Sequence, residues 1–159
     1  MILMTDTDSN YPVLPEACSR ISGYYYFTKS MLDYSKDTPT PNGPILTECK
    51  TLKTLVSSSA EVETGGTLEN AQNVIPLRHI IKTLYLHQKP TTGSPIITEK
   101  LTYQGILTCL IKTANKIWDM RYHGLEDRIF QKHIQLIWKQ GIHNWADYFT
   151  KQNSLKTID

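Results

Sequence analysis

Four carboxylates recur at the ends of predicted secondary-structure elements. Asp8 and Glu99 end short apolar strands, while Glu63 and Asp147 lie in the first turns of predicted helices. Taken singly, each has a structural explanation, because acids favour the positive N-terminal end of a helix and strand ends are solvated. Taken together they suggest a metal site, because Mg²⁺ prefers oxygen ligands and two such ions about 3.5–4 Å apart can activate a water in phosphodiester cleavage. Spacing alone leaves both interpretations open, since only the fold can bring these acids together.

Several other kinds of catalytic and binding site are excluded by the sequence. It contains no G-x-G-x-x-G, G-x-x-x-x-G-K-[ST], H-E-x-x-H or G-x-S-x-G pattern. The three cysteines, Cys18, Cys49 and Cys109, are odd in number and form no C-x-x-C pair. A zinc site or disulfide framework is therefore not expected, and a reducing intracellular compartment fits better.

The composition predicts one ordinary globular domain. The chain has 159 residues, with 17 basic and 15 acidic side chains. This near balance argues against a strongly basic nucleic-acid clamp, although a local basic face stays open. The start, MILMTDTD, lacks a basic n-region, and no apolar run approaches the length of a membrane span, so we expect neither a signal peptide nor a membrane partner.

The chain is expected to form three strands, a helix, a strand, two helices, a strand and a last helix. In chain order these cover residues 2–5, 22–28 and 45–57, a helix opening at Ser58, a turn and strand over 92–100, and then residues 101–112, 113–132, 133–140 and 143–152. Such an order predicts an α/β protein with a mixed sheet, whose first three strands form a meander and whose later strands are joined through helices.

Local patterns sharpen the prediction for two helices. Ser58 and Glu61 fit the S-x-x-E capping box at the start of the first helix. Gly65 and Gly66 each cost about 1 kcal/mol there relative to Ala, and Pro76 should kink the helix or start a new one near Asn73. In the last helix, Asn144 is the expected N-cap.

The aromatic residues are expected to be structural. Tyr24, Tyr25 and Tyr26 should divide between the core and the sheet surface, and are not expected to stack on bases. Trp145 should pack the last helix on the sheet, which would help to fix Asp147.

Four segments, taken in order, resemble the ribonuclease H domain of copia-type retrotransposon Pol polyproteins. They are TDTDSNYPVLPEACSRISGYYYF, GPILTECKTLKTLVSSSAEVE, DMRYHGLEDRI and NWADYFTK. The resemblance extends from about Thr5 to Lys151. Its most specific pieces, SSSAEVE and ADYFTK, match that family's Ser-Ser-x-x-Glu-x-Glu and Ala-Asp-x-Phe-Thr-Lys patterns.

The resemblance implies a ribonuclease H-like fold, a five-stranded mixed sheet flanked by helices, over residues 1–152 with a C-terminal tail over 153–159. It implies cleavage of the RNA strand of an RNA–DNA hybrid by two Mg²⁺ ions, with Mn²⁺ as an alternative. Asp8, Glu63, Glu99 and Asp147 would be both the metal ligands and the catalytic residues, with Asp8 bridging the two ions. The implied partners are the hybrid and a reverse transcriptase domain of the same polyprotein, in a cytoplasmic virus-like particle or the nucleus.

One departure from the family leaves three interpretations open. Glu99 and Lys100 stand where the family has Asp-Asn, and misplacing a ligand by about 1 Å can cost on the order of a hundredfold in rate. The chain is then a working ribonuclease H, a decayed copy that folds but cleaves poorly, or a non-enzymatic module that binds nucleic acid or supports a reverse transcriptase. Recognition of the hybrid is expected through its shape, its 2′-hydroxyls and its phosphates. The candidate basic residues are Arg20, Lys50, Lys53 and Lys116.

Overall fold

Five strands and three helices make up the part of the chain that the structure describes. The computed structural model describes residues 2–11, 18–28, 41–53, 56, 58–84, 93–98, 116–141 and 144–151. The strands are β1 (Ile2–Asn10), β2 (Ser19–Thr28), β3 (Pro44–Leu52), β4 (Ser94–Thr98) and β5 (Ile134–Trp138), and the helices are α1 (Ser59–Leu84), α2 (Lys116–Phe130) and α3 (Asp147–Thr150). Glu99, Lys100, the helix expected over 101–112 and the tail over 153–159 lie outside the described residues. Within the described residues, no helix is long and apolar enough to cross a membrane.

The strands form one mixed sheet with β1 at its centre. The strand order is β3-β2-β1-β4-β5. β1 is antiparallel to β2 and parallel to β4, β2 is antiparallel to β3, and β4 is parallel to β5. The predicted meander of the first three strands is therefore confirmed, as is the α/β class.

Alternation along the strands divides the core between the two faces of the sheet. Leu3, Tyr25 and Ile96 pack together with residues of α1, while Met4 and Tyr26 belong to a separate cluster. Neighbouring strand residues point to opposite faces, which explains how two adjacent tyrosines are both fully buried in different clusters. The expected division of the tyrosine run between core and sheet surface is therefore wrong for Tyr26, which is buried in the core on the other face of the sheet.

Helix α1 is one continuous helix that lies close to the sheet at Gly66. The Ser58 Oγ accepts a hydrogen bond from the backbone N–H of Glu61 at 3.2 Å, as expected at the N-terminal cap. A Cβ at Gly66 would overlap the Ser9 side chain and lie 3.1 Å from a methyl carbon of Ile21. Glycine is therefore needed for the close approach, which offsets its low helix propensity. The prediction that a new helix starts near Asn73 is wrong, because α1 continues through Pro76.

Three of the boundaries that differ from the sequence-based expectation bear on the candidate site or on the end of the meander. β1 continues to Asn10, so Asp8 lies two residues inside the strand and not at its end. Glu63 is the fifth residue of α1 and lies in its second turn, while Glu61 occupies the first turn. β3 ends at Leu52, five residues earlier than expected. The polar residues TDTDSN extend β1 because the strand is paired on both sides, a tertiary effect that outweighs β propensity.

Candidate active site

The described acids of the predicted site lie toward the carboxyl end of β1. Along α1, Gly66 lies over Ser9, and Asn70 donates a hydrogen bond to the hydroxyl of Thr7 at 2.7 Å. The helix therefore runs antiparallel to β1. Glu63 precedes Gly66 by three residues, which is about 4.5 Å along the helix axis. This places Glu63 beyond Ser9, at the same end of β1 as Asp8.

The carboxylate of Asp8 is joined to the short helix α3 by one side chain. Thr150 is fully buried, and its hydroxyl donates a hydrogen bond to the Oδ2 of Asp8, which is itself only 7% exposed. Asn10 donates to the carbonyl of Thr150 at 3.4 Å. Asp147 and Thr150 are the first and last residues of α3. These contacts therefore place the helix that carries Asp147 near the carboxyl end of β1, where Asp8 lies.

The turn that precedes α3 is anchored to β1 and β2 through backbone groups. The Asn144 side chain donates to the carbonyl of Thr7 at 3.0 Å, and the Ser22 hydroxyl donates to the carbonyl of Ala146 at 2.9 Å. The Oδ1 of Asn144 accepts from the N–H of Ala146 at 3.0 Å, which closes a turn before the helix. The expected N-cap role of Asn144 is therefore wrong, since α3 begins at Asp147 and its cap position, Ala146, has no side-chain cap bond.

Asp6 is a second buried acid on β1 that the sequence reasoning missed. Its side chain is about 1% exposed. One oxygen accepts from the Tyr26 hydroxyl at 3.2 Å and the other from the backbone N–H of Trp145 at 3.1 Å. The signal was present in the motif TDTD, because residues two apart on a strand share one face. Asp6 therefore lies on the same face of β1 as Asp8.

Trp145 packs the turn before α3 against the sheet, as predicted. Its ring stacks on that of Tyr24, with centroids 6.0 Å apart and an interplanar angle of 24°. Burial raises the pKa of the Tyr24 phenol, and the negative charge of nearby Asp6 raises it further. The phenol therefore stays neutral beside Asp6, and the stacked ring contributes to holding the turn before Asp147.

The carboxylate of Asp147 faces two different environments. Its Oδ2 accepts a hydrogen bond from the ammonium of Lys151, with which it forms an ion pair. Its Oδ1 is buried and has no hydrogen-bond partner among the residues that the structure describes. A buried carboxylate oxygen without a donor is costly, and a divalent cation is one group that would satisfy it.

The carboxylate oxygens near the carboxyl end of β1 are the type of ligand that Mg²⁺ prefers. The described residues alone do not form a complete site. Glu63, like Asp8, is 7% exposed. Among the described stretches of the chain, no three His, Cys, Asp or Glu side chains lie close enough together to hold a metal ion. Since Glu99 lies outside those stretches, the four-acid ligand set stays a prediction.

The predicted basic residues differ in their availability to a nucleic acid. Lys50 forms ion pairs with Glu48 at 3.4 Å and with Glu69 at 3.1 Å. Lys53 is exposed, and Arg20 is half-buried on β2 opposite Asn10, at the end of the sheet that carries Asp8. The side chain of Lys116 is outside the described residues. Arg20 and Lys53 are therefore the better candidates for phosphate contacts.

Solved ribonuclease H structures share the fold of this chain. The RNase H1 from the halophilic archaeon Halobacterium salinarum NRC-1 superposes with a TM-score of 0.60 over 94% of each chain, at 6% identity. The N-terminal RNase H domain of a Mycobacterium tuberculosis protein gives 0.58 at 9% identity, over 93% of this chain and 91% of that one. LC11-RNase H1 in complex with an RNA/DNA hybrid gives 0.58 at 6% identity, over 92% of each chain. No protein-family model and no curated protein sequence matches the chain. The predicted ribonuclease H-like fold is confirmed.

Proposed function

We propose that this chain is a ribonuclease H that hydrolyses the RNA strand of an RNA–DNA hybrid. The observation that carries the proposal is the hydrogen bond from Thr150, which belongs to the same short helix as Asp147, to Asp8 near the carboxyl end of the central strand. This arrangement lies in a ribonuclease H fold, and one protein of that fold, LC11-RNase H1, has been solved in complex with an RNA/DNA hybrid. The sequence resemblance to copia-type ribonuclease H domains independently implies the same reaction.

The carboxylates near the carboxyl end of β1 would repel the phosphates of a nucleic acid unless cations were bound between them. A phosphate about 4 Å from one carboxylate is repelled by about 4 kcal/mol at an effective dielectric constant near 20. Asp8, Glu63, Asp147 and Glu99 would hold two divalent ions, which supply charge neutralisation and a water of lowered pKa when bound. The buried Oδ1 of Asp147, which has no hydrogen-bond partner among the described residues, supports this assignment.

The chain's own residues then bind and orient the reacting groups. Thr150 fixes one oxygen of Asp8, and Asp6 holds the backbone of Trp145 just before Asp147. The 2′-hydroxyls of the RNA strand, which DNA lacks, are the groups by which the site would choose the strand to cleave. Arg20 and Lys53 would contact phosphates, which positions the duplex and carries no sequence information.

The test is cleavage of a labelled RNA–DNA hybrid in Mg²⁺ and then in Mn²⁺, with Asp8→Asn as the blank. We expect cleavage by the wild type and none by Asp8→Asn, whose fold should survive because the substitution keeps size and shape. Circular dichroism of both proteins provides the folding control. Full activity in Asp8→Asn would refute the assignment of Asp8.

A second pair of substitutions separates a working enzyme from a decayed copy. If the folded wild type does not cleave, Glu99→Asp combined with Lys100→Asn should restore cleavage in a chain disabled at that strand end. Cleavage by neither protein would leave a non-enzymatic module that binds the hybrid, which a gel-shift titration with the same labelled hybrid measures.

The proposed biological setting is reverse transcription of a retrotransposon. We infer from the sequence resemblance that the domain works with a reverse transcriptase domain of the same Pol polyprotein, in a virus-like particle of the cytoplasm or in the nucleus. The reading frame around the coding sequence tests this directly. A frame that encodes no reverse transcriptase on the amino-terminal side would argue against the setting and leave the ribonuclease H activity untouched.

A further inference from the structure

We propose that Thr150 is a positioning residue whose buried hydroxyl orients the Asp8 carboxylate and fixes α3 against β1. The inference rests on the proposed function, since it assigns a role within that same site. Thr150 is fully buried, its hydroxyl donates to the Oδ2 of Asp8, and it belongs to the same short helix as Asp147. One side chain thus links two predicted ligands that are far apart in the sequence.

Helix α3 depends on contacts of this kind for its place. It has four residues, Asp147–Thr150, and a single turn is not stable alone because helix nucleation is costly. Most of the contacts that hold it use backbone groups, as in the bond from Ser22 to Ala146 and the bond from Asn10 to Thr150. Unlike those contacts, the hydrogen bond from the Thr150 hydroxyl is made to a side chain, that of Asp8. A movement of α3 would therefore also move the Asp8 carboxylate.

The hydroxyl also determines which way the Asp8 carboxylate turns. The terminal torsion of an Asp side chain has a broad, roughly two-fold preference, so rotation about it is not limited by its own rotamer wells. A donor on Oδ2 fixes that oxygen and leaves Oδ1 to face other groups. Partners of this type, which hold a ligand without touching the metal, typically change metal affinity by about 10–100-fold when they are removed.

Two matched pairs of variants test the hydroxyl itself. Thr150→Val keeps the shape of the side chain and removes the hydroxyl, while Thr150→Ser keeps the hydroxyl and removes the methyl group. Thr150→Ala, compared with Thr150→Ser, repeats the test in a smaller side chain should the valine variant fail to fold. Circular dichroism and urea unfolding identify the variants that are folded and usable.

The first readout is Mn²⁺ binding, measured from the electron paramagnetic resonance signal of the free ion. We expect Thr150→Val and Thr150→Ala to bind Mn²⁺ about 10–100-fold more weakly than the wild type, and Thr150→Ser to bind nearly as tightly as the wild type. The second readout is steady-state hybrid cleavage. The variants without a hydroxyl should lose kcat with little change in KM, because orientation of Asp8 matters in the reaction and not in holding the duplex.

The outcomes separate the two proposals. Equal Mn²⁺ affinity in all folded variants, or an equal loss in Thr150→Ser and Thr150→Ala, would overturn the positioning role even if the wild type cleaves the hybrid. A hydroxyl-dependent Mn²⁺ affinity in a chain that does not cleave would support the positioning role and remove the proposed activity. A wild type that neither binds Mn²⁺ nor cleaves would overturn both.

Discussion

Replacing Asn70 with Ala should loosen the helix that carries Glu63 from the strand that carries Asp8. Asn70 is about 2% exposed. Its side chain donates to the Thr7 hydroxyl at 2.7 Å and to the Ser22 carbonyl at 2.8 Å, and accepts from the Tyr25 hydroxyl at 2.9 Å. At about 1 kcal/mol for each buried hydrogen bond, the loss is about 3 kcal/mol. With a urea m-value of about 2 kcal/mol per M, the unfolding midpoint should fall by about 1.5 M.

Asn73 supplies a matched control one turn further along the same helix. It is half-buried and donates to the Tyr25 hydroxyl at 3.1 Å and to the carboxylate of Glu48 at 2.6 Å. Because it is less buried, Asn73→Ala should cost about 1 kcal/mol. The two variants are compared by urea unfolding with an unchanged m-value. An equal loss in both, or a loss below about 1 kcal/mol in Asn70→Ala, would refute the reasoning from burial.

Three further predictions concern charge, pH and packing. Lys151→Met removes the cation paired with Asp147. Since Lys151 is 62% exposed, the pair is worth up to about 1 kcal/mol. Because Lys151 would compete with a metal ion for Asp147, the variant should bind Mn²⁺ up to about fivefold more tightly in the electron paramagnetic resonance titration, and weaker binding would contradict that competition. Burial raises the pKa of the Tyr25 phenol well above its ordinary value of 10.0. The contribution of the protonated phenol to the free energy of unfolding is therefore complete below pH 10.0 and is lost as the pH rises above 10.0. Tyr25→Phe should therefore flatten the fall in unfolding free energy as the pH rises above about 10, and equal slopes in the two proteins would contradict this. Gly66→Ala should be less stable to urea than Gly65→Ala. A Cβ at 65 meets the flexible end of Arg121 at 2.9 Å and Leu52 at 3.3 Å, whereas one at 66 overlaps the buried Ser9 hydroxyl and lies 3.1 Å from Ile21. The reverse order would mean that the helix shifts freely on the sheet.

The parts of the fold that could be predicted from the sequence depend on local interactions. The cap at Ser58 was predictable because its partner, Glu61, is three residues away. Strand alternation places Tyr25 and Tyr26 on opposite faces of the sheet, but the burial of both faces, and so of both rings, depends on tertiary packing. The meander of β1, β2 and β3 followed from the Pro and Asn-Gly turn signals between strands that are consecutive in sequence, as consecutive strands usually pair.

The parts that were missed depend on residues far apart in the chain. Asp6 and Asp8 are polar residues inside a central strand, and their partners, Trp145 and Thr150, lie about 140 positions later. No window of sequence contains both members of such a pair. Asn144 resembled a helix cap, but its side chain is used to bond the backbone of Thr7, and the helix starts three residues later.

The candidate acids were identified by their type, by their place at the ends of predicted elements and by family motifs such as SSSAEVE and ADYFTK. The ADYFTK pattern that singled out Asp147 also contains Thr150 and Lys151, but it gave no indication that the Thr150 hydroxyl contacts Asp8 or that the Lys151 ammonium contacts Asp147. Those contacts arise only when the turn before α3 packs on β1 and β2. Site chemistry was therefore predictable to the level of ligand type, and its geometry was not.

The central position of β1 gives the two halves of the site different resistance to opening. β1 is hydrogen-bonded to β2 on one side and to β4 on the other, so its amides should exchange with solvent only through global unfolding. The four-residue α3 has no such neighbours on both sides, and its amides should exchange through local opening. Asp147 would then leave the site many times for each time that Asp8 does. Equal protection of the amides of α3 and β1 in native-state hydrogen exchange would contradict this. In such a molecule the site is lost by detachment of its last helix well before the domain unfolds.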